Sequence, residues 1–265
     1  LRRGIQTRFP PAASQEPSAY PLDLPSLLQG RNAEVFFRGC SRRKSTCCIC
    51  NSILAQDSNF TAKEITINEF VDGTLLIPND VDKPNLAIII AGSGPTDRNG
   101  NQNLLKNNSL KKLAQSLSNH ELATFRYDKR IVKQIRKGNV DMNIRFDDFI
   151  TDAISILTYF KSSDAFSKVY IIGHSQGSLV GIVTAKQGAD GFISLAGAGK
   201  SIDEVIIEQV TSMAPTLTED TKRVFSIMKD GKTTTDFPQA LTSIFNLEVQ
   251  PFMMSWMAYN PQEEI

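Results

Sequence analysis

The stretch that decides the fold is KVYIIGHSQGSLVG, Lys168 to Gly181. A short apolar run ends at Gly173, and Ser175 then sits between two glycines, Gly173 and Gly177. KVYII has the length and β-branched content of a buried strand, and SLVGIVTA reads as the helix after it. A serine on a sharp turn between strand and helix is exposed, and the next backbone N–H lies at a helix N-terminus. Glycines on both sides let the turn pack tightly against neighbouring backbone. A bare Gly-x-Ser-x-Gly is a weak signal; flanked by strand and helix it makes Ser175 a candidate nucleophile.

Working outward, the surrounding segments alternate between strand and helix. KEITINEF alternates Ile65, Ile67 and Phe70 with polar residues, and GTLLIP follows Asp72-Gly73, which predicts an antiparallel hairpin. NLAIIIAGSG is a continuous apolar run ending in glycines, as in a buried parallel strand. Leu110, Leu113, Ala114 and Leu117 share a helical face. ATFRYDKR reads as a strand, and Phe146, Phe149, Ile150, Ala153, Ile154, Leu157 and Phe160 form a helical stripe. GFISLAG is a further strand. The pattern predicts an α/β fold, a mostly parallel sheet with helices on both faces. After Gly199 four amphipathic segments follow with no strand between them, the first opened by a Ser201-to-Glu204 capping box. They are expected to form a helical cap.

A serine hydroxyl needs a base to take its proton and donors for the developing oxyanion. AGSGPTDRNGNQN follows an earlier parallel strand, so it emerges at the same sheet edge as Ser175. The N–H of Ser93 or Gly94 is the expected partner of the Gln176 N–H in an oxyanion hole. A phosphate-binding loop is the alternative for these glycines. No Gly-Lys-Ser/Thr follows them and no helix opens directly on them, which counts against nucleotide binding.

In order and spacing, AGSGPTDRNGN, RYDKR, GHSQGSL and ISLAGAG resemble the α/β-hydrolase superfamily, and within it bacterial serine esterases related to dienelactone hydrolases and acyl-peptide hydrolases. The resemblance covers roughly residues 60–265. It implies an eight-stranded core, a helical cap after the sixth strand and a Ser/Asp/His triad, with no cofactor or metal. It implies that Ser175 is the nucleophile, with Gln176 and Ser93 at the oxyanion hole. Asp97, Arg98, Asp128 and Arg130 match family positions on the strand-end loops, where an ion-paired network is favoured over direct catalysis. Ile131 stands where similar proteins often continue with glycine, which leaves the conformation of that loop open.

On this fold the acid and then the histidine follow the serine in the chain. The sequence has two histidines. His174 adjoins the nucleophile and is too close to reach back to it, and His120 follows a helix, at the opposite sheet edge. Asp203 reads better as part of a helix cap than as the acid. Six strands are countable, so the triad acid and base and two further strands are expected to lie beyond Ile265, leaving the sixth strand as an open edge. The domain reading is a leader over 1–60, the N-terminal part of the hydrolase core over 61–199 and a cap over 200–260.

The leader is compositionally distinct. Residues 1–50 carry 8 Lys/Arg against 3 Asp/Glu, hold all four cysteines, and open with five prolines before residue 26. Residues 42–55 read as a weak signal-peptide remnant, expected to mean a secreted or periplasmic protein; without it the expectation is cytoplasmic. Cys47-Cys48-x-Cys50 lacks metal-ligand spacing. The whole chain is nearly neutral, 29 basic against 28 acidic residues, unlike a nucleic-acid binder. No apolar run approaches the roughly 18 residues that span a membrane. The expected activity is hydrolysis of carboxylic esters of small acyl substrates through an acyl-enzyme. A non-catalytic α/β-hydrolase-like binding protein, peptide-bond cleavage, thioester hydrolysis and acyl transfer remain open beside it.

Overall fold

A computed structural model describes residues 59–103 and 105–265. The four cysteines and the 42–55 segment lie outside the described residues. Residue 60 already belongs to a strand.

Six strands form one sheet in the order β1-β2-β4-β3-β5-β6. β1 (Phe60–Thr66) and β2 (Asp72–Pro78) are the antiparallel hairpin, and β2 pairs antiparallel with β4 (Leu122–Tyr127). β3 (Asn85–Ile90), β5 (Val169–His174) and β6 (Gly191–Leu195) complete a parallel block with β4. The α/β expectation, mostly parallel with helices on both faces, therefore holds.

Period-two alternation sorts the central strand onto two cores. Leu86, Ile88 and Ile90 of β3 join the larger cluster with Phe125, Phe146 and Phe160. Ala87, Ile89 and Ala91 face the smaller one with Leu110 and Ala114. Those two residues are the buried face of α1 (Ser109–Ser118), which covers one side of the sheet. The other side is covered by α3 (Phe146–Lys161), whose stripe buries Phe146, Phe149, Ile150, Ala153, Leu157 and Phe160 as read from the periodicity, whereas Ile154 is only partly buried and Ile156 is buried beside them. Each fully buried aromatic or aliphatic side chain there contributes about 1.5–3 kcal/mol. α4 (Gln176–Ala185) packs against β5 and α3.

Three local expectations are corrected. The hairpin does not turn at Asp72-Gly73. It turns four residues earlier, where the Asn68 side chain accepts from Phe70 N–H at 2.9 Å and Val71 N–H at 3.0 Å. Gly73 lies inside β2 because the Phe125 ring occupies the place of a side chain there. The segment after β4 is not a continued strand: Arg130–Lys137 is a helix, α2. The capping box at Ser201 does not form, since the Ser201 side chain makes no cap hydrogen bond. Asp203 is buried and pairs with Lys229 at 2.6 Å instead.

The four helical segments after Gly199 are α5 (Ile202–Met213), α6 (Thr218–Lys229), α7 (Thr242–Phe245) and α8 (Gln250–Met257). α5 and α6 pack on each other, and α8 packs on α3, with Trp256 stacked on Phe146 at 5.5 Å. A last turn, α9 (Pro261–Glu264), touches α4. β6 is the outer strand of the sheet, and Ile193 on it is 48% exposed.

Candidate active site

Ser175 joins β5 to α4 with φ 54° and ψ −120°, a conformation that side-chain-bearing residues avoid. The surroundings enforce it. Its N–H donates to the Leu195 carbonyl at 2.9 Å, and its carbonyl accepts from Ser178 N–H at 2.9 Å. The Ser178 hydroxyl donates to the Gly173 carbonyl at 2.8 Å. A Cβ at Gly173 would stand 2.3 Å from the Gly177 carbonyl oxygen, and a Cβ at Gly177 would stand 2.5 Å from that of Ile90. Both glycines of the motif are therefore sterically required. Gln176 opens α4, so its N–H has no intrahelical acceptor and sits at the positive end of the helix dipole.

The loop after β3 runs alongside. Its Ser93 carbonyl accepts from the Thr96 hydroxyl at 2.7 Å and from the Gln102 amide at 2.9 Å. Gly94 takes a left-handed φ of 73°. Asp97 accepts from the N–H groups of Asn99 and Asn101, both at 2.8 Å, and closes a tight turn. Arg98 leaves that turn to meet Asp128 in a two-pronged pair, 3.0 Å from Nε and 2.8 Å from Nη2. The Arg98 backbone N–H also donates to Asp128 at 2.9 Å, Arg136 adds a contact to it at 2.6 Å, and Glu64 pairs with Arg98 from β1. Burial pushes the Asp128 carboxyl up, but the hydrogen bonds and charge of Arg98, with Arg136, outweigh it and hold the group below the usual carboxylate range.

Arg130 does not join this cluster. It points to α3 and grips Asp152 at 2.7 and 2.8 Å and Asp148 at 2.7 Å, with Phe70 against its flat face. Burial raises Asp152 above the ordinary range, and Arg130 opposes that without overcoming it. The structure thus brings Asp97, Arg98 and Asp128 together and places Arg130 in a separate anchor.

Between Asp128 and Arg130 lies a residue that sequence reasoning missed. Lys129 is 5% exposed, and its ammonium reaches under the loop after β3. It donates to the Gly92 carbonyl, to the Gln176 side-chain oxygen at 2.6 Å and, more weakly, to the Gly94 carbonyl at 3.4 Å. The Phe149 ring lies 4.9 Å away, and no carboxylate among the described residues pairs with it. Burial lowers its pKa to about 7. The available signal was a lysine wedged between two residues already singled out in RYDKR. His174 is held below its usual range first by burial and then by Lys129. His120 lies between α1 and β4, where its ring nitrogen meets the Ser116 carbonyl at 2.7 Å, at the sheet edge opposite Ser175.

Two cavities meet at this point. A small one of about 50 Å³ opens on Ser175, Gln176 and Ser93, with Leu179 and Ile202 on its walls. A larger apolar one of about 330 Å³ shares Ser93, Gln176 and Trp256 with it and extends past Phe149, Phe252 and Ile244. Ile131, in the first turn of α2, is on its wall. Among the described residues no group of three His, Cys, Asp or Glu is placed to hold a metal ion, and no helix is long and apolar enough to cross a membrane.

No family model matches the chain. Esterase EstD of Thermotoga maritima is 27% identical over 154 residues, 57% of this chain and 36% of that protein, so the match spans little more than a third of its length. Among solved structures, Est1E from Butyrivibrio proteoclasticus is similar at a TM-score of 0.40 and 22% identity, over 54% of each chain. Siderophore hydrolase EstB from Aspergillus fumigatus is similar at 0.45 and 16%, over 71% of this chain and 60% of its own. These structural likenesses are distant. With the sheet order and the strained serine between β5 and α4 already in hand, the likeness to EstD supports the resemblance to the α/β-hydrolase superfamily.

Proposed function

We propose that this chain carries the nucleophile and oxyanion hole of a serine esterase acting on carboxylic esters of small acyl substrates. One observation carries the reading: Ser175 is held at φ 54° on the strand-to-helix turn, facing a cavity that Ser93 and Gln176 also border. Strain of about 1–3 kcal/mol persists only where the surroundings over-determine it, and such positions cluster at reactive sites. In the proposed reaction the Ser175 hydroxyl attacks the acyl carbon. The N–H groups of Gln176 and Ser93, or Gly94, receive the oxyanion, the alcohol leaves, and water hydrolyses the acyl-enzyme. The name of EstD supports the reaction class.

The reading assigns the general base and its acid to residues outside these 265. His120 is at the far edge of the sheet and His174 is the serine's own neighbour. The helices α5 to α8 then serve as the cap, with the larger cavity, which α7 and α8 line together with α3 and the loop after β3, as the place for an apolar part of the substrate.

The test is reaction of the chain with a fluorophosphonate probe, followed by peptide mapping. The expected result is slow modification confined to Ser175 and absent in S175A. Binding of apolar esters without any modification of Ser175 would instead make this a binding protein. The assignment of the base elsewhere predicts p-nitrophenyl ester turnover no better than a residual rate on the order of 10³–10⁴ over water. Ordinary esterase turnover by this chain alone would overturn that assignment.

A further inference from the structure

The buried ammonium under the oxyanion loop has no counterpart in the proposed reaction. Its three N–H groups meet three neutral oxygens, two of them main-chain carbonyls on either side of Ser93. A cation this buried is costly without a compensating anion, so its placement calls for a reason.

Peptide geometry supplies one. In a trans peptide the C=O of one residue and the N–H of the next point in opposite directions, and no described peptide is cis. The Gly92 carbonyl is turned down onto Lys129. The Ser93 N–H is therefore turned the other way, and it donates to no acceptor among the described residues. On the next peptide the Ser93 carbonyl is held by Thr96 and Gln102. The third acceptor is the side chain of Gln176, whose own N–H is the other proposed donor. Lys129 thus ties together the two elements, the loop after β3 and the start of α4, on which both donors sit. A flip of the Gly92–Ser93 peptide would aim a carbonyl where the N–H now points. It would also cost the lysine its contact with Gly92.

We infer that Lys129 is a positioning residue for the oxyanion hole: it locks the Gly92–Ser93 peptide with the Ser93 N–H turned away from the buried ammonium and free to receive the oxyanion beside Ser175. The inference rests on the reading of Ser175 as nucleophile. Lys129 does not touch the substrate in this arrangement, since Gly92, Gly94 and Gln176 occupy its donors.

The experiment compares wild type, K129M, K129Q and S175A as full chains. Three quantities are read: the rate constant for fluorophosphonate modification of Ser175, cooperative melting by circular dichroism, and the Ser93 amide resonance in ¹⁵N-serine-labelled protein. Phosphonylation passes through an oxyanion, so K129M should slow it on the order of 10²-fold, as loss of one donor does. K129M should also shift or broaden the Ser93 resonance. K129Q is uncharged and one atom shorter but still donates, and should fall between. K129M reacting at the wild-type rate, or slowed with the Ser93 resonance unmoved, overturns the inference. If K129M does not melt cooperatively, K129Q decides: a slower rate with a moved Ser93 resonance supports it, and neither change overturns it. Absence of modification in wild type would overturn the nucleophile reading itself. The Ser93 resonance then still decides for Lys129, and an unmoved resonance in K129M removes it.

Discussion

The turn after β5 and the turn after β4 end at the same sheet edge and serve the same cavity, yet they are fixed by different physics. After β5 the constraint is steric. Gly173 and Gly177 bring backbone against backbone with no room for a methyl group, and Ser175 has one conformation left. After β4 the constraint is electrostatic. Three consecutive charged residues, Asp128, Lys129 and Arg130, diverge to three separate sets of partners. Steric constraints act at contact distance and tolerate nothing. Charge constraints act through partners from distant parts of the chain, so losing one leaves another group stranded. The two turns should therefore fail differently.

The largest loss is expected at Asp128. Its side chain is 4% exposed and faces Arg98 at 15%, so D128A removes the buried partner of that guanidinium and leaves it only the exposed carboxylate of Glu64. Breaking such a pair costs about 3–5 kcal/mol, read as the shift in urea unfolding. The loss should depend on pH with a definite sign. The folded-state pKa of Asp128 lies below its unfolded value. Its contribution is complete above the ordinary carboxylate pKa and disappears as pH falls through the folded value. The gap between wild type and D128A should therefore be widest near neutrality and close in acid; a constant gap would show that the charge is not what holds this turn.

A smaller loss is expected from G177A. The added methyl would stand 2.5 Å from the Ile90 carbonyl oxygen and 2.6 Å from that of Ala91. Pushing α4 away from β3 should cost about 1–3 kcal/mol with no change between neutral and acid pH. The same displacement should remove fluorophosphonate modification of Ser175, because the turn and the N-terminus of α4 move together. Retention of both stability and modification would show that the helix can shift freely and that the steric account is wrong.

The difference between the two turns also explains what was legible in the sequence. The elbow is local: strand, glycine, serine, glycine and helix lie within fourteen residues of KVYIIGHSQGSLVG, so its structure follows from its own residues. The sheet strands and the α3 stripe were legible for the same reason, since period 2 and period 3.6 are local signals. The loop after β4 is not local. Asp128 finds Arg98 thirty residues away, Arg130 finds Asp152 on α3, and Lys129 reaches a carbonyl that no side-chain pattern marks. That is why Arg130 was grouped with Asp128 and Lys129 passed over. α2 was missed for a different reason: Ile131, Val132 and Ile135 keep helical spacing, but within only eight residues. Asp72-Gly73 misled as a turn because the Phe125 ring that excludes a side chain there sits on a strand fifty residues on.

The smallest effect expected is a gain. Ser175 sits at φ 54° and ψ −120°, where a Cβ is penalised by about 1–3 kcal/mol and glycine is not. Glycine at this position gives back about 0.4–1 kcal/mol through the greater freedom of the unfolded chain. S175G should therefore stabilise the protein by about 1 kcal/mol, a rise in Tm of about 2–4 °C for a domain of this size. S175A keeps the Cβ and should melt with wild type, so the pair separates backbone strain from loss of the hydroxyl. Equal melting of all three would mean the turn holds no strain at Ser175. A rise confined to S175G would show that the serine is kept there against the stability of the fold, as expected of a residue retained for its reactivity.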